Sequence, residues 1–451
     1  MTSFRDFAKS VCSELPTATY ARWASALFSL SVLTFLLSLA AAQAFLALAA
    51  LAYVVHLWRN RPAVHFPPIM VPLALFCLFT LLSTWKAANP GAGGFALRKL
   101  VLFTILLFTA NLVTSARHLK LLWHGLFLES ALAGLVAIGQ FVVIYRHLRA
   151  VHTDRIYYYL TFERIHGFMG HWMNFGGQQM LVFAALVSFL LLAPRVKKFW
   201  WIVLAIVALS IVLNFTRGVW LGCFVAVIYL IGCWRPRLLW LLPVLLLVGY
   251  LAAPSLFQQR LRSIGLPSSD PSIAIRFEMW QVGGRMVRAH PWLGVGPGNI
   301  EQDYLLYLPP GRVPIVGYHE HLHNNVFQLG AERGLPCLAS WLWLMGALAW
   351  YSWKIRRRIR QDRWVADAAL AGGFAFFLEG FFEFNFGTSP VLMVLMASKL
   401  IASQPSVIIL PASVTKSPLR KKLFSPSVAK FAIETLPRFV KIPLSPSSAL
   451  K

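Results

Sequence analysis

The stretch FWWIVLAIVALSIVLNFTRGVWLGCFVAVIYLIGCW, residues 199–234, contains two apolar runs with almost nothing between them. A helix needs about 20 apolar residues to cross the hydrocarbon core of a bilayer, which is roughly 30 Å thick. Each run approaches that length, and only Asn214–Gly218 interrupts the apolar pattern. The stretch therefore predicts two membrane-spanning helices joined by a tight turn that carries an arginine, Arg217.

The whole chain has the composition of a membrane protein. Hydrophobic residues make up 58% of the 451 residues and charged residues 13%, and the mean hydropathy is +0.64. Soluble domains are about 45–50% apolar and about 25% charged, so the soluble class is excluded. We predict an all-α polytopic integral membrane protein whose membrane domain covers residues 22–402. The twelve predicted spans are Arg22–Leu39, Ala41–Leu57, Pro68–Thr84, Lys99–Ala116, Leu119–Tyr145, Gly176–Ala193, Phe199–Phe215, Val219–Trp234, Leu238–Ala252, Leu335–Trp353, Trp364–Glu383 and Pro390–Ala402.

Lysine and arginine occur in every second loop between these spans, and cytoplasmic loops are the ones enriched in them. This pattern places residues 1–21 and the tail 403–451 in the cytoplasm, and it places the long loops 146–175 and 254–334 in the periplasm. The tail is basic and rich in serine and proline, a composition typical of disordered segments. The net charge of +26 indicates anionic membrane lipids as partners, with no nucleic acid.

Two further features are less informative. The five cysteines are scattered without CxxC spacing, so we predict neither a disulfide framework nor a thiolate metal site. The first 20 residues contain acidic residues and a proline before any long apolar run, and we expect no cleaved signal peptide. We also expect a monomer.

Arginine is unusually frequent in the two long outer loops, although the positive-inside rule disfavours it there. The planar guanidinium group binds phosphate through two parallel hydrogen bonds. The bias therefore predicts an anionic, phosphorylated substrate at the outer face. The alternative is that these arginines pair with acidic residues of the same loops, because long loops translocate regardless of charge.

Two of these arginines stand beside apolar runs. Arg164 lies three residues before Gly167, close to the start of the sixth span, and Arg217 lies between two spans. A charge at that depth is costly and commonly faces a cavity or a partner. Interfacial packing of Arg164 and snorkelling of Arg217 to the headgroups are the alternatives.

The second long loop contains a helical stripe and a glycine loop. Arg276, Trp280 and Gly284 are four residues apart, so they lie on one face of a helix. The glycines of Gly294–Gly298 form a tight loop. No strand precedes this loop and no GK[ST] follows it, so it does not indicate a nucleotide site.

Three histidines, His319, His321 and His323, alternate near the end of the same loop. The spacing is not HExxH, and a metal site is the less favoured interpretation. A histidine at the mouth of a membrane cavity suits a general base or a hydrogen-bond donor to phosphate. A helix-capping His-Asn pair is the structural alternative.

Four stretches together resemble the O-antigen ligase and polymerase superfamily of bacterial polysaccharide membrane proteins. The resemblance covers residues 164–386, with the remainder fitting the polytopic, GT-C-like layout of that superfamily. Two positions depart from the family pattern: Cys337 replaces a glycine, and Thr388-Ser389 replaces an acidic residue after Glu383-x-Asn385-x-Gly387. The matching stretches are Arg164-x-x-Gly167, Thr216-Arg217-Gly218-x-Trp220-Leu221-Gly222, Arg276-x-x-x-Trp280 continuing into His290–Gly298, and His323-Asn324 leading to Leu329, Glu332, Gly334 and Leu335.

The resemblance implies transfer of a glycan from undecaprenyl pyrophosphate to a sugar hydroxyl of lipid A-core. The reaction would be metal-independent and inverting, would use no cofactor, and would take place at the periplasmic face of the bacterial inner membrane. It assigns catalysis to His323, Arg276 and Arg217. The diphosphate-binding residues would be Arg164, Arg217, Arg276 and Arg288, and the supporting residues His321, Asn324, Trp280 and Glu332.

Other functions remain open from the sequence. The same donor would serve a polymerase that extends lipid-linked repeats, or an enzyme that glycosylates a protein hydroxyl. From another class, a transporter of a lipid-linked polysaccharide would also suit many spans and a cationic cavity. A transporter predicts paired repeats with broken helices at the membrane midplane, and the sequence contains no obvious internal repeat.

Overall fold

The computed structural model describes residues 4–113, 115–151, 156–265, 271–314, 320–359 and 362–398. The predicted tail 403–451 and His319 lie outside the described residues. Within them, the regular structure is entirely helical. The α-helices are α1 (Phe4–Cys12), α2 (Thr19–Val32), α3 (Leu39–Asn60), α4 (Met70–Lys86), α5 (Gly94–Leu100), α6 (Thr104–Leu112), α7 (Ala116–Ala150), α8 (Ile156–Phe162), α9 (Trp172–Leu192), α10 (Phe199–Leu213), α11 (Arg217–Trp234), α12 (Leu242–Ala252), α13 (Ser255–Gly265), α14 (Pro271–Ala289), α15 (Ile300–Asp303), α16 (Asn325–Arg358), α17 (Arg363–Glu379) and α18 (Ser389–Ser398).

Several of these helices are suited to a membrane. Six helical segments of the described chain are long and apolar enough to cross one: Leu39–Asn60, Pro90–Leu112, Ala116–Ala150, Trp172–Leu192, Arg217–Trp234 and Asn325–Arg358. Four apolar segments are shorter: Met70–Lys86, Phe199–Leu213, Pro236–Ala252 and Ser389–Ser398. The all-α, multi-pass class is thus supported, whereas the count of twelve spans and the sidedness of the loops stay predictions.

The helix boundaries differ from the sequence prediction in several places. Helix α7 continues to Ala150, so Arg146 and Arg149, which the sequence predicts to lie in a loop, belong to the helix, with Arg149 in its last turn. The segment 254–334, predicted as a long loop between spans, contains α13, α14, α15 and the first part of α16. Helix α17 ends at Glu379, four residues before the predicted end of its span. The apolar-run criterion gives no span for α13 or α14 because their turns are rich in polar residues, whereas the spacing of Arg276, Trp280 and Gly284 did predict the helix that α14 forms.

Helix α9 is the centre of the bundle. Nearly every residue from Phe175 to Leu190 is buried, and α9 packs against α7, α10, α11, α17 and α18. Glycines permit this close approach: a Cβ at Gly177 would lie 2.8 Å from Val391 Cγ2, and one at Gly176 would lie 2.9 Å from Asn214 Oδ1. The side chain of Gln178 donates to the Phe35 carbonyl at 3.0 Å, which satisfies its buried amide.

Helix α16 is interrupted at Gly334, whose φ of 80° and ψ of 171° are not helical. The break frees carbonyl groups of the preceding turn, and the glycine loop 294–298 satisfies them. The Val295 amide donates to the Ala331 carbonyl at 2.9 Å and the Gly296 amide to the Glu332 carbonyl at 2.8 Å. The glycine loop is therefore bound to α16 through backbone hydrogen bonds at the break.

We expect Gly334→Ala to destabilise the protein. A side chain in this positive-φ conformation costs about 1–3 kcal/mol, and the new Cβ would also overlap the Trp292 carbonyl. The midpoint of thermal unfolding, followed by intrinsic fluorescence in detergent, should fall clearly. Gly346→Ala is the matched control, because Gly346 lies in the same helix with no atom within 4 Å of its added Cβ. Equal midpoints for the two variants would contradict this account of the break.

Candidate functional site

A carboxylate between two imidazoles forms the centre of the candidate site. Glu383 Oε2 lies 2.8 Å from His323 Nδ1, and Glu383 Oε1 lies 3.2 Å from His321 Nε2. The centroids of the two imidazole rings are 4.3 Å apart. The histidines precede α16 and Glu383 follows α17, so the site joins segments that are 60 residues apart in sequence.

The backbone around the histidines is held by side-chain hydrogen bonds. Asn324 caps α16: its Oδ1 accepts from the amides of Val326 at 2.8 Å and Phe327 at 3.1 Å. Its Nδ2 donates to the Phe381 carbonyl at 3.1 Å, two residues before Glu383. His323 itself has a φ of 47°, an uncommon conformation that this cap stabilises. Asn324 thus positions His323 opposite Glu383.

A second, fully buried network fixes the start of α16 to the end of α17. The backbone amide of Asn325 donates to the Gly380 carbonyl at 2.7 Å, and the side-chain Nδ2 of Asn325 donates to Asn385 Oδ1 at 2.6 Å. Asn385 in turn donates through Nδ2 to the buried carboxyl group of Glu379. The two ends that carry the histidines and Glu383 are therefore held in one geometry.

Glu383 is ionised over a wide pH range. Burial by itself favours the neutral acid, but the charge of His323 and the hydrogen bonds from both imidazoles outweigh burial. The pKa of Glu383 consequently lies well below its ordinary value. An ionised carboxylate on Nδ1 holds the proton of His323 on that nitrogen and leaves the lone pair of Nε2 for a substrate.

Four arginine side chains gather beside these residues, from four different segments. Arg217 Nη1 donates to the Ser263 carbonyl at 2.9 Å, and Arg260 Nε donates to the Phe215 carbonyl at 2.9 Å. Arg276 Nε donates to the Phe382 carbonyl, next to Glu383, at 3.2 Å. The guanidinium group of Arg164 lies 5.3 Å from the centroid of a Trp172 ring. We call Arg164, Arg217, Arg260 and Arg276 the arginine cluster.

The members of the arginine cluster repel one another. Burial, followed by the charges of Arg260, Arg276 and Arg217, lowers the pKa of Arg164 to about 9. Arg164 therefore remains charged at neutral pH, and the shift reflects how much positive charge is concentrated there. Such a concentration attracts an anion, because an anion placed among the four groups would relieve the repulsion.

His171 connects the arginine cluster to the histidine pair. It caps α9 by accepting a hydrogen bond from the Met173 amide at 3.3 Å, and its ring stacks on Trp172 at 4.0 Å. Burial lowers the pKa of His171, and Glu383, His321 and Arg164 are near enough to act on it electrostatically. The two groups of residues therefore form one continuous site.

The structure separates the predicted site residues into two sets. It brings together Arg164, Arg217, Arg276, His321 and His323, with Asn324 as their helix cap. Trp280 lies beside this set and stacks on Phe327 with ring centroids 6.0 Å apart. Arg288 and Glu332 do not join it.

Arg288 and Glu332 lie elsewhere for identifiable reasons. Arg288 is exposed on α14, and twelve residues of helix place it about 18 Å along the axis from Arg276. That distance is too great for both to bind one diphosphate. Glu332 is buried, and its Oε1 accepts a hydrogen bond from the Gly298 amide at 2.9 Å. Its carboxylate faces the glycine loop. The segment that follows Glu383 lies between Glu332 and the histidine pair.

Three site residues were not among the sequence candidates: Glu383, His171 and Arg260. Glu383 is one of only 16 acidic residues, and it follows a span directly, which was the available signal. His171 precedes a long apolar run in an N-cap position. Nothing in the sequence distinguishes Arg260 from the other loop arginines, since its role arises from the packing of α13.

The ring nitrogens and the carboxylate oxygens of His321, His323 and Glu383 lie within 4.8 Å of one another, a spacing that a metal ion could also use. In the structure these atoms are hydrogen-bonded to one another directly. A metal ion bound through His323 Nδ1 or His321 Nε2 would replace the hydrogen bond of that nitrogen to Glu383.

Comparison with known proteins finds a family match for part of the chain. Residues 202–342 match the family model described as O-antigen ligase, which confirms the resemblance noted from the motifs. The matched segment is about a third of the chain and includes Arg217, Arg276, His321 and His323. No curated protein matches the chain. The family match supports a glycosyltransferase-like enzyme of the O-antigen ligase and polymerase type in a multi-pass membrane protein.

We expect Glu383 to stabilise the fold in a pH-dependent way. Because its pKa is lower in the folded protein, its ionised form stabilises the native state above the ordinary pKa of about 4.5, and this contribution is lost as the pH falls through the acid range. Replacing it in Glu383→Gln should cost about 1–3 kcal/mol at pH 6 and less at pH 3. Thermal unfolding at both pH values measures the difference.

Glu301→Gln is the matched control for this experiment, because Glu301 is an exposed acidic residue of the short helix α15. It should shift the unfolding midpoint little at either pH. A difference between wild type and Glu383→Gln that is as large at pH 3 as at pH 6 would show that the charge of Glu383 is not what stabilises the site.

Proposed function

We propose that the protein transfers a glycan from undecaprenyl pyrophosphate to a sugar hydroxyl of lipid A-core, at the periplasmic face of the bacterial inner membrane. The observation that carries this proposal is the meeting of the arginine cluster with the His323–Glu383 pair in one place. The arginine cluster suits a diphosphate, and the His323–Glu383 pair suits a hydroxyl group. In this proposal the chain crosses the membrane about twelve times with its N-terminus in the cytoplasm.

The arginine cluster would act on the leaving group. When the bond between the anomeric carbon and the pyrophosphate oxygen breaks, the oxygen keeps the electron pair and gains negative charge. Preorganised cations stabilise that charge most strongly in the transition state, where it is greatest. Arg217, Arg276 and Arg164 present guanidinium groups, which match the geometry of phosphate oxygens. Arg260 joins them in this proposal.

His323 would act on the acceptor. With its Nδ1 proton held by Glu383, its Nε2 removes the proton from the acceptor hydroxyl as the oxygen attacks the anomeric carbon. Glu383 stabilises the imidazolium that results, as the third member of a nucleophile, base and carboxylate arrangement does. A single in-line displacement of this kind inverts the anomeric carbon and forms no covalent enzyme intermediate.

Neither a metal nor a nucleotide sugar is required by this mechanism. The four guanidinium groups supply the positive charge that a divalent cation supplies in other phosphate-transfer sites. The polyprenyl diphosphate is itself the activated leaving group. The reaction should therefore continue in the presence of a chelator.

We expect His323→Ala and Arg276→Ala each to abolish most transfer while the protein stays folded. Loss of a general base costs about 10²–10⁴-fold in rate, and loss of one preorganised donor to the developing charge about 10²–10³-fold. The measurement is transfer of glycan from the purified undecaprenyl pyrophosphate donor to lipid A-core, in detergent with EDTA, by the purified full-length chain.

The matched controls are His65→Ala and Arg312→Ala, both exposed residues of the same types outside the site. They should retain wild-type rates. Loss of all transfer by the wild type in EDTA would exclude the metal-independent mechanism. Consumption of the donor into longer lipid-linked chains would identify a polymerase, glycan on a protein would identify a protein glycosyltransferase, and no transfer to any acceptor would leave transport as the better hypothesis.

A further inference from the structure

A cavity lies next to the candidate site, and the mechanism above does not use it. Its volume is about 110 Å³, and it lies between α5, the first part of α16, the glycine loop and residues 384–387. Phenylalanines form much of its wall, among them Phe95, Phe384 and Phe386. Three charged side chains also line it: Lys99, Glu332 and Arg333.

The charges in this cavity do not balance. Lys99 donates through Nζ to the Gly387 carbonyl, a neutral partner. Glu332 is the single carboxylate among the lining residues, and one of its oxygens is already used by the Gly298 amide. Two cations therefore face one anion, and the cavity carries a net positive charge in apolar surroundings. Such a charge is costly unless a further anion is bound.

Arg333 provides an independent indication of a missing ligand. Its side chain is buried, with 8% of its surface exposed, and its Nε has no hydrogen-bond partner among the described residues. That nitrogen lies 3.7 Å from Glu332 Oε2, and Nη1 lies 3.4 Å from Thr80 Oγ1, which is a weak contact. The guanidinium carbon lies 5.4 Å from the Phe76 ring. Arg333 therefore lines the cavity with a guanidinium group whose hydrogen-bonding capacity is incompletely used, and an anion can use the remainder.

A single aromatic side chain separates this cavity from the histidine pair. Phe384 lines the cavity, follows Glu383 directly, and has its ring centroid 6.4 Å from that of His321. A ligand anchored in the cavity would therefore reach His323 by passing one ring. The volume corresponds to a few water molecules, since water occupies about 30 Å³, and so it suits a phosphate or carboxylate group better than a sugar ring.

We propose that this cavity binds a phosphate group of the acceptor glycolipid. Lys99 and Arg333 bind the anionic oxygens, Glu332 orients Arg333, and the acceptor hydroxyl is thereby directed to His323. The donor diphosphate occupies the arginine cluster on the other side of Phe384. The inference rests on the proposed function, and it adds a separate site for the second substrate.

The experiment compares native lipid A-core with the same lipid after phosphatase treatment. We expect the wild type to show at least a tenfold higher acceptor KM for the dephosphorylated lipid, with the donor KM unchanged. Lys99→Gln should raise the acceptor KM for the native lipid by a similar factor and should have little effect on the dephosphorylated lipid. Lys99→Arg, which keeps the charge, should restore the KM, and Lys86→Gln, at an exposed lysine, should match the wild type.

Three results would overturn the proposal. The first is an equal KM of the wild type for both lipids. The second is a Lys99→Gln variant that raises the KM equally for both. The third is a Lys99→Gln variant that retains less phosphatidylglycerol from nanodiscs while its acceptor KM stays at the wild-type value, which would assign the cavity to a phospholipid headgroup.

A binding measurement separates this inference from the proposed function. The inactive His323→Ala variant should bind the native lipid at least tenfold more tightly than the dephosphorylated lipid, and adding Lys99→Gln should remove that preference. Such a preference would support the cavity assignment even if the wild type transferred no glycan. Transfer without any preference would instead support the enzyme and overturn the cavity assignment.

Discussion

Holding positive charge away from water costs free energy, and this cost determines how side chains are arranged at one end of the helix bundle. The arginine cluster offsets this desolvation cost with hydrogen bonds to carbonyl and hydroxyl oxygens, such as those of Phe215, Ser263 and Phe382. These bonds orient the guanidinium groups without cancelling their charge. The site therefore keeps a concentrated positive field, whose strength is reflected in the lowered pKa of Arg164. A ligand with negative charge is the natural complement of such a field.

The same end of the bundle needs rigid support, because a base and a cation cluster act together only at fixed distances. The support comes from interrupted helices. Breaking α16 at Gly334 allows its first part to carry the histidines, while the glycine loop satisfies the freed carbonyls. The buried contacts of Asn325 with Gly380 and Asn385 then fix this part against the end of α17. Preorganisation of this kind is what electrostatic catalysis requires.

The sequence predicted some levels of this organisation well. Apolar runs placed most helices, and the depth of Arg217 together with the alternation of His321 and His323 marked residues that the fold does bring together. Residue type alone could not decide which arginines share a site. Arg288 and Arg276 look equivalent in sequence, yet the length of α14 separates them. The family pattern includes Glu383, but its role became clear only when the fold placed it between two imidazoles, because which residues it contacts is set by tertiary packing.

The distribution of the site along the chain limits how the protein can be recombined. The family-matched segment 202–342 contains both histidines, but Glu383 lies downstream of it, and Arg164 and His171 lie upstream. A chimaera that exchanged only this segment would inherit both histidines without the carboxylate that binds them. The candidate site is therefore built from several helix ends, which must be inherited together. An exchange of segments would have to preserve the contact between α16 and α17.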